Sequence, residues 1–189
     1  MKLLSPILLF LLTGCSVLEP VKDTAVHHLL EPLVADRPLS AATPAIAINR
    51  PSLPSYLDRQ QLVIRRNGQL MISKLDLWAE PLDAAIARVM ASNLSRLTGS
   101  LNIQPVQSFT STDYTGLLEL NVGQFEPDDA QQMMLNGTWK LQPVSGKETG
   151  THYFRIAVPL PSSAAVMKDR VSAMNIALEK LAREIMSKR

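Results

Sequence analysis

The sequence has 189 residues, of which 46% are hydrophobic and 5% aromatic, with 19 basic and 17 acidic side chains. This length suits one domain with a hydrophobic core, and the near balance of charge argues against a dedicated nucleic-acid-binding protein, which concentrates Lys and Arg to neutralise phosphates. The single cysteine cannot form an internal disulfide or a zinc site built on paired cysteines.

The N-terminus has the pattern of a secretory signal. Lys2 precedes an apolar run over 3–12, which is shorter than the roughly 20 residues that a membrane-spanning helix needs. The run ends in Leu12-Thr13-Gly14-Cys15, which resembles a bacterial lipobox. We expect residues 1–14 to be removed as a signal peptide and Cys15 to carry an N-acyl chain and an S-diacylglycerol group. The alternative is an ordinary signal peptide with an incidental cysteine at its end.

A lipid anchor of this kind holds a protein on a membrane. Each buried methylene contributes about 0.8 kcal/mol, and stable attachment needs more than one chain. Ser16 follows the cysteine where an Asp would resemble an inner-membrane retention signal, which favours the outer membrane and its periplasmic face. Residues 15–24 are then a lipidated tether, and 25–189 are predicted to form a single domain.

Period-two patterns and turn residues follow the tether. Strands are predicted at 25–30, 46–49, 62–65 and 70–75. Asn67-Gly68 predicts a two-residue hairpin turn between the last two of these strands, because both positions tolerate positive φ. Pro51 and Pro54 interrupt the preceding segment and indicate a bulged edge or a loop.

Two amphipathic helices are predicted. The first begins near Pro81 and ends at Gly99, residue types favoured at those two places. Its apolar stripe consists of Leu82, Ile86, Val89, Met90, Leu94 and Leu97. The second follows 161–163, and its stripe consists of Met167, Val171, Met174, Leu178, Leu181 and Ile185.

Further strands are predicted between 102 and 158, separated by turns at 125–131 and 145–150. The predicted fold class is therefore α+β, an antiparallel or mixed β-sheet with two amphipathic helices packed on one face.

Few residues in the sequence are candidates for catalysis or metal binding. Neither a Gly-rich phosphate loop nor a Gly-x-Ser-x-Gly elbow occurs in the sequence, and no catalytic residue or metal site is expected. His27 and His28 are adjacent on a predicted strand and point to opposite faces, so they are interpreted as ordinary strand residues, like His152. Asp128-Asp129 is interpreted as a hydrogen-bonding turn, and Glu80 and Asp83 as favourable charges at a helix start.

The segment Leu53-Pro54-Ser55-Tyr56-Leu57-Asp58-Arg59 places apolar and aromatic residues among prolines in a connection between strands. Such residues either form an exposed surface for a partner or fold back over the core, and the residues alone leave both readings open. Trp78, just before the first helix, presents the same pair of alternatives, with core packing favoured.

Several motifs resemble one known family. Leu53-Pro54-x-Tyr56-Leu57-Asp58-Arg59, Leu77-Trp78-Ala79-Glu80-Pro81-Leu82, Asn93-Leu94, Leu120-x-Val122-x-x-Phe125 and Gly137-x-Trp139 occur in the same order as in the PqiC-like ABC-type transport auxiliary lipoproteins. The resemblance covers nearly the whole mature chain and includes the lipobox. It departs at His27-His28, where the family often has Tyr-Tyr.

The resemblance implies a non-catalytic subunit of an intermembrane phospholipid transport system. In such a system a PqiB-like MCE-domain protein and its inner-membrane partner bridge the periplasm, and the lipoprotein docks the far end of the MCE conduit at the outer membrane. Candidate partner-binding residues are then Pro54, Tyr56, Leu57, Asp58, Arg59 and Trp78. A homo-oligomeric ring is a further hypothesis. No cofactor is expected beyond the covalent lipid on Cys15.

The alternative function is a periplasmic lipid-binding carrier with its own apolar pocket. Such a carrier would need a cavity on the sheet face opposite the helices. Asn136, Thr138 and Lys140 share that predicted face with Met134 and would interrupt an apolar lining.

Overall fold

The computed structural model describes residues 24–35, 45–108, 114–146, 149–161 and 166–188. The predicted signal peptide, Cys15 and all but the last residue of the predicted tether lie outside these residues, so the structure does not test them.

The described residues contain eight strands and two α-helices. The strands are β1 (Val26–His28), β2 (Ile46–Ile48), β3 (Gln61–Arg66), β4 (Gln69–Trp78), β5 (Ile103–Pro105), β6 (Gly116–Pro127), β7 (Gln132–Pro143) and β8 (His152–Pro159). The helices are α1 (Leu82–Thr98) and α2 (Met167–Ser187). A single 3₁₀ turn, Val106–Ser108, follows β5.

The larger sheet has five strands in the order β5-β2-β6-β7-β8. β2 pairs in parallel with β5 and β6, whereas β6, β7 and β8 form an antiparallel meander. In β8 every second residue is buried, as expected for a sheet with one face in the core. The sheet is therefore mixed, as the sequence predicts.

Both helices lie on one face of this sheet. α1 packs against β5 and β2, α2 packs against β8 and β7, and the helices contact each other, which places them on the same side. The predicted stripe residues point into the core, with Leu97 and Met167 partly buried at its margin. α1 ends where predicted, because Gly99 adopts a left-handed conformation (φ 74°) and its N–H bonds to the Ser95 carbonyl at 2.8 Å. The α+β prediction is confirmed.

The smaller sheet has three strands in the order β1-β4-β3, and the sequence patterns did not separate it from the larger one. β3 and β4 form the predicted hairpin, with Asn67 (φ 50°) and Gly68 (φ 70°) at its turn. β1 pairs in parallel with the end of β4, where His28 lies opposite Trp78. β3 also lies beside β6, which joins the two sheets.

Three predicted boundaries are wrong. β4 ends at Trp78, three residues beyond the predicted 70–75. The turn expected at 125–131 begins only after Pro127, because Phe125 and Glu126 are buried and pair with Leu135 and Met134 of β7. β1 is shorter than the predicted 25–30, because after His28 the chain leaves the sheet and crosses the helices.

The crossing segment is bonded to both helices. The amide of Glu31 donates to Asn175 on α2 at 3.0 Å, and the amide of Val34 donates to Asn93 on α1 at 3.3 Å. Arg88 and Arg96 of α1 donate to the carbonyls of Leu30 and Val34 at 2.8 and 2.7 Å. Side chains from both helices thus replace the strand partners that this segment lacks.

Candidate functional site

The loop between β2 and β3 lies along the edge of β6. Ser52 exchanges backbone hydrogen bonds with Leu120 and Val122, at 3.0 and 2.9 Å, where β2 no longer covers that edge. The chain then turns at Pro54, whose carbonyl accepts the amides of Leu57 and Asp58. The loop is therefore fixed to the sheet at Ser52, and the turn that follows is closed by its own hydrogen bonds.

The fixed turn directs Leu57 into the core. Leu57 is 3% exposed and Trp78 is 4% exposed, and both belong to the main hydrophobic cluster. For these two residues the reading in which they cover the core is correct, and the reading in which they form an exposed surface is wrong. Tyr56 and Pro54 are partly buried, Asp58 is exposed and Arg59 is partly exposed.

Beneath the loop lies a buried carboxylate that sequence reasoning missed. Glu126 is fully buried in β6. It accepts hydrogen bonds from the Arg65 guanidinium at 2.9 and 3.2 Å, from the Tyr56 hydroxyl at 3.1 Å and from the Phe125 amide at 3.0 Å. Four donors offset the cost of removing the charge from water. The sequence signal was a charged residue between Phe125 and Pro127.

These contacts hold Tyr56 and Arg65 in fixed protonation states. Burial, followed by the charge of Glu126 and the hydrogen bond to it, raises the pKa of Tyr56 to about 12. The hydrogen bond to Glu126 raises the pKa of the Arg65 guanidinium further above its usual value. Tyr56 is therefore a neutral donor that ties the loop to β6.

A cleft of about 350 Å³, lined by both polar and apolar side chains, lies beside the loop. Its walls are the segments 58–60 and 78–82, which include the last two residues of the family motif at 53–59 and most of the motif at 77–82. The Trp78 amide donates to the Gln60 carbonyl at 2.7 Å, which holds the two walls together. Glu80 in the second wall is bonded to Arg88 at 2.5 and 3.0 Å.

Arg59 in the first wall has a buried donor that is not used. Its Nε atom is buried and forms no hydrogen bond with the described residues. Buried donors almost always have a partner in native proteins. Arg59 thus lines the cleft with a guanidinium that has one donor unsatisfied by the described residues.

A second polar cluster involves His28 but has no catalytic geometry. Asp76 lies between the other two members: it accepts a hydrogen bond from Ser73 at 2.7 Å and contacts His28 Nε2 at 2.8 Å. A nucleophile–base pair requires the serine to bond to the histidine, and here both bond to the carboxylate. Partial burial raises the pKa of Asp76, but the hydrogen bonds from His28 and Ser73, with the charges of His28 and Arg170, outweigh it and hold the pKa below its usual range.

The remaining histidines and acidic residues have structural positions. His27 is exposed, and His152 stacks on Trp139 with ring centroids 4.2 Å apart. Asp129 accepts hydrogen bonds from the amides of Asn67 and Gly68 at 2.5 and 3.0 Å. The turn between β6 and β7 is thereby bonded to the turn between β3 and β4. In the parts of the chain that the structure describes, no three His, Cys, Asp or Glu side chains are close enough to hold a metal ion.

A lipid-binding carrier, the alternative function, would need an apolar cavity large enough for a lipid chain. A cleft between β3 and α2 is lined by core residues such as Leu62, Phe125 and Met174, and it has room for about one water molecule. Pockets for small molecules are typically hundreds of Å³. This cleft cannot accommodate an acyl chain. Neither described helix has the length and hydrophobicity required to cross a bilayer.

Solved structures share this fold. One, an uncharacterised protein, has a TM-score of 0.70 and 19% identity and covers 87% of this chain and 98% of its own. Another, a protein of Xanthomonas campestris, has a TM-score of 0.69 and 17% identity over 85% and 92% of the two chains. PelC from Paraburkholderia phytofirmans, a dodecamer, has 15% identity over 78% and 92% of the chains and a TM-score of 0.42, which is too low to bear on assembly here.

No curated protein matches the sequence. The model of the ABC-type transport auxiliary lipoprotein component matches residues 28–186, which is most of the chain and includes both motif segments that form the cleft. The chain belongs to the family of ABC-type transport auxiliary lipoproteins.

Proposed function

We propose that this protein is the outer-membrane-anchored subunit of an MCE-type intermembrane phospholipid transport system, in which it docks the periplasmic MCE conduit and supports membrane integrity. The family assignment and the lipobox support this proposal. The anchor is Cys15, acylated on its amino group and carrying diacylglycerol on its thiol. Three chains give attachment that a single chain cannot.

The docking surface is the cleft formed by segments 58–60 and 78–82. The observation that supports it is Arg59 Nε, a buried donor with no partner among the described residues, at the wall of that cleft. A carbonyl or carboxylate of the MCE-domain protein would enter the cleft and accept a hydrogen bond from the Arg59 guanidinium. Leu57 and Trp78 act from beneath, because they are buried and hold the two walls in place.

Docking is tested with the lipidated protein and a purified PqiB-like MCE-domain protein. Arg59→Ala should lose retention of the MCE protein, and Arg59→Lys should lose most of it, because Lys keeps the charge but has no atom in the Nε position. The matched control is Arg50→Ala, which removes an arginine whose side chain is 49% exposed and bonded to Asp83. Retention by Arg59→Ala equal to that of the native protein would contradict this docking surface.

Anchoring has a separate test. A Cys15→Ala variant should leave the outer-membrane fraction when cells are fractionated, because it has no site for the lipid. A variant that stays with the outer membrane would overturn the anchor. The inner-membrane partner and a homo-oligomeric ring belong to the same proposal, and sedimentation of the detergent-solubilised complex measures both.

A further inference from the structure

The strand β4 exposes more apolar surface than any other described element. Leu70, Met71, Ile72 and Leu75 are between 39% and 53% exposed. Leu70 lies opposite Arg65 and Met71 opposite Ile64, so apolar side chains emerge on both faces of the hairpin. Exposed apolar side chains concentrated on one hairpin, with a pair on each face, mark a place that something else covers.

One edge of this hairpin is also open. β1 pairs only with Asp76–Trp78, so among the described strands none lies beside β4 from Gln69 to Leu75 on that side. Natural proteins shorten or charge such edges to prevent association. Lys74 is the single charged side chain along these seven residues.

Positive charge flanks the apolar surface. Arg66 precedes the hairpin turn and, with Arg170 of α2, lines an open cleft of about 340 Å³. Neither guanidinium forms a hydrogen bond or ion pair with the described residues. Burial and the nearby charge of Arg66 lower the pKa of Arg170, and the charges of Asp76 and Asp169 partly oppose that shift. Asp76 is itself bonded to His28 and Ser73, and Asp169 accepts the amide of Val166.

The acidic residues that line the same cleft already accept hydrogen bonds from the backbone. Asp129 accepts the two turn amides described above, and Asp128 accepts the amide of Gln132 at 2.9 Å. Their charges reduce the positive potential of the cleft, but their oxygens are directed at the backbone. The two guanidiniums remain as donors for an anion from outside.

The tether reaches the same sheet. Thr24, the first described residue, precedes β1, which lies next to β4. Nine residue steps separate Thr24 from Cys15, and nine extended residues span at most about 30 Å. If Cys15 is acylated, the leaflet lies within that distance of the smaller sheet. Val26 and Leu29, which lie within five residues of Thr24, are exposed as well.

We propose that the β3–β4 hairpin is a second membrane contact, in which the apolar side chains of β4 enter the interfacial region of the phospholipid leaflet while Arg66 and Arg170 meet lipid phosphate groups. The inference rests on the anchoring at Cys15. The apolar surface, the flanking cations and the short tether together favour a lipid leaflet as the occupant.

The test places a fluorophore on the hairpin of the lipidated protein. Cys15 is the only cysteine. In the lipidated protein its thiol carries diacylglycerol, so Met71→Cys introduces the only reactive thiol. An environment-sensitive label at this position is measured after reconstitution into vesicles of phosphatidylethanolamine and phosphatidylglycerol, with and without spin-labelled lipid. The control is Tyr153→Cys, an exposed position on the larger sheet.

We expect the label at Met71→Cys to shift to shorter wavelength in vesicles and to be quenched by the spin-labelled lipid, and the label at Tyr153→Cys to show neither change. Adding Arg66→Gln and Arg170→Gln should reduce the quenching. A blue shift without quenching would overturn the proposal, because the hairpin would then be covered by a second copy. An unchanged label on protein that still floats with the vesicles would also overturn it and leave the anchor intact, whereas protein that does not float contradicts the anchor.

Discussion

The guanidinium of Arg65 lies 2.9 Å from the fully buried carboxylate of Glu126, and this pair connects the two sheets. Arg65 belongs to the hairpin of the smaller sheet, and Glu126 lies near the end of β6, the central strand of the larger one. Because Tyr56 donates to the same carboxylate, the pair also positions the loop beside the cleft. A single charged contact therefore sets the position of three parts of the molecule.

Removing one member of this pair should be costly. Arg65→Ala leaves Glu126 buried without its cation, and loss of a buried ion-pair partner typically costs about 3–5 kcal/mol of unfolding free energy. Urea unfolding followed by circular dichroism measures the change. Arg183→Ala, which removes an exposed pair with Glu179 on α2, should cost no more than about 1 kcal/mol. Equal losses in the two variants would contradict the bridging role of Glu126.

Leu57 distinguishes the two readings of the loop. Because its side chain is buried in the core cluster, Leu57→Ala should lower the unfolding free energy by about 2–5 kcal/mol. Asp58→Ala alters the neighbouring exposed residue and should change it by less than about 0.5 kcal/mol. Thermal melts of the two variants test this. A Leu57→Ala protein as stable as the native one would mean that the loop does not cover the core.

Gly137 should not tolerate a side chain. A Cβ atom at this position of β7 would lie 2.0 Å from the backbone oxygen of Asn121 on β6, so the paired strands would have to separate. Gly137→Ala should therefore cost at least about 1–3 kcal/mol, the usual range for overpacking. Gly150→Ala is the matched control, because no atom lies within 4 Å of its added Cβ. Chemical denaturation of both variants gives the comparison, and a neutral Gly137→Ala would be inconsistent with this strand pairing.

The depressed pKa of Asp76 predicts a contribution to acid sensitivity. A carboxyl whose pKa is lower in the folded state than in the unfolded state stabilises the fold above the unfolded pKa, about 3.9, and loses this contribution as the pH falls through the folded pKa. The native protein should thus be more stable than Asp76→Asn at pH 7, and the difference should shrink below pH 4. Urea midpoints across this range measure it, with Asp58→Asn as the exposed control. A constant difference would show that Asp76 acts through packing alone.

Local patterns predicted the local elements. The apolar stripes of α1 and α2, the hairpin turn at Asn67-Gly68 and the helix end at Gly99 each depend on residues close in sequence, and each is confirmed. The family resemblance, which rests on short motifs, is confirmed over 28–186.

Contacts between distant residues were not predictable in this way. The smaller sheet depends on the parallel pairing of His28 with Trp78, 50 positions apart, and no local pattern specifies such a pair. The burial of Glu126 could not be predicted, because it depends on a contact with Arg65 in the other sheet. The two walls of the cleft are joined by the hydrogen bond from the Trp78 amide to the Gln60 carbonyl, which no local pattern specifies. The motif residues were therefore identified from the sequence, but the position of Arg59 opposite the second wall was not.

The segment between β1 and the helices has a mechanical consequence. If Cys15 holds the chain at the membrane, a force on the domain is transmitted through Thr24 and the three residues of β1. A strand of three residues could be pulled from its sheet one hydrogen bond at a time. The four side-chain bonds to Leu30, Glu31 and Val34 pass that force directly into α1 and α2. Under that condition a load on the attachment point would be shared by both helices and would not fall on β1 alone.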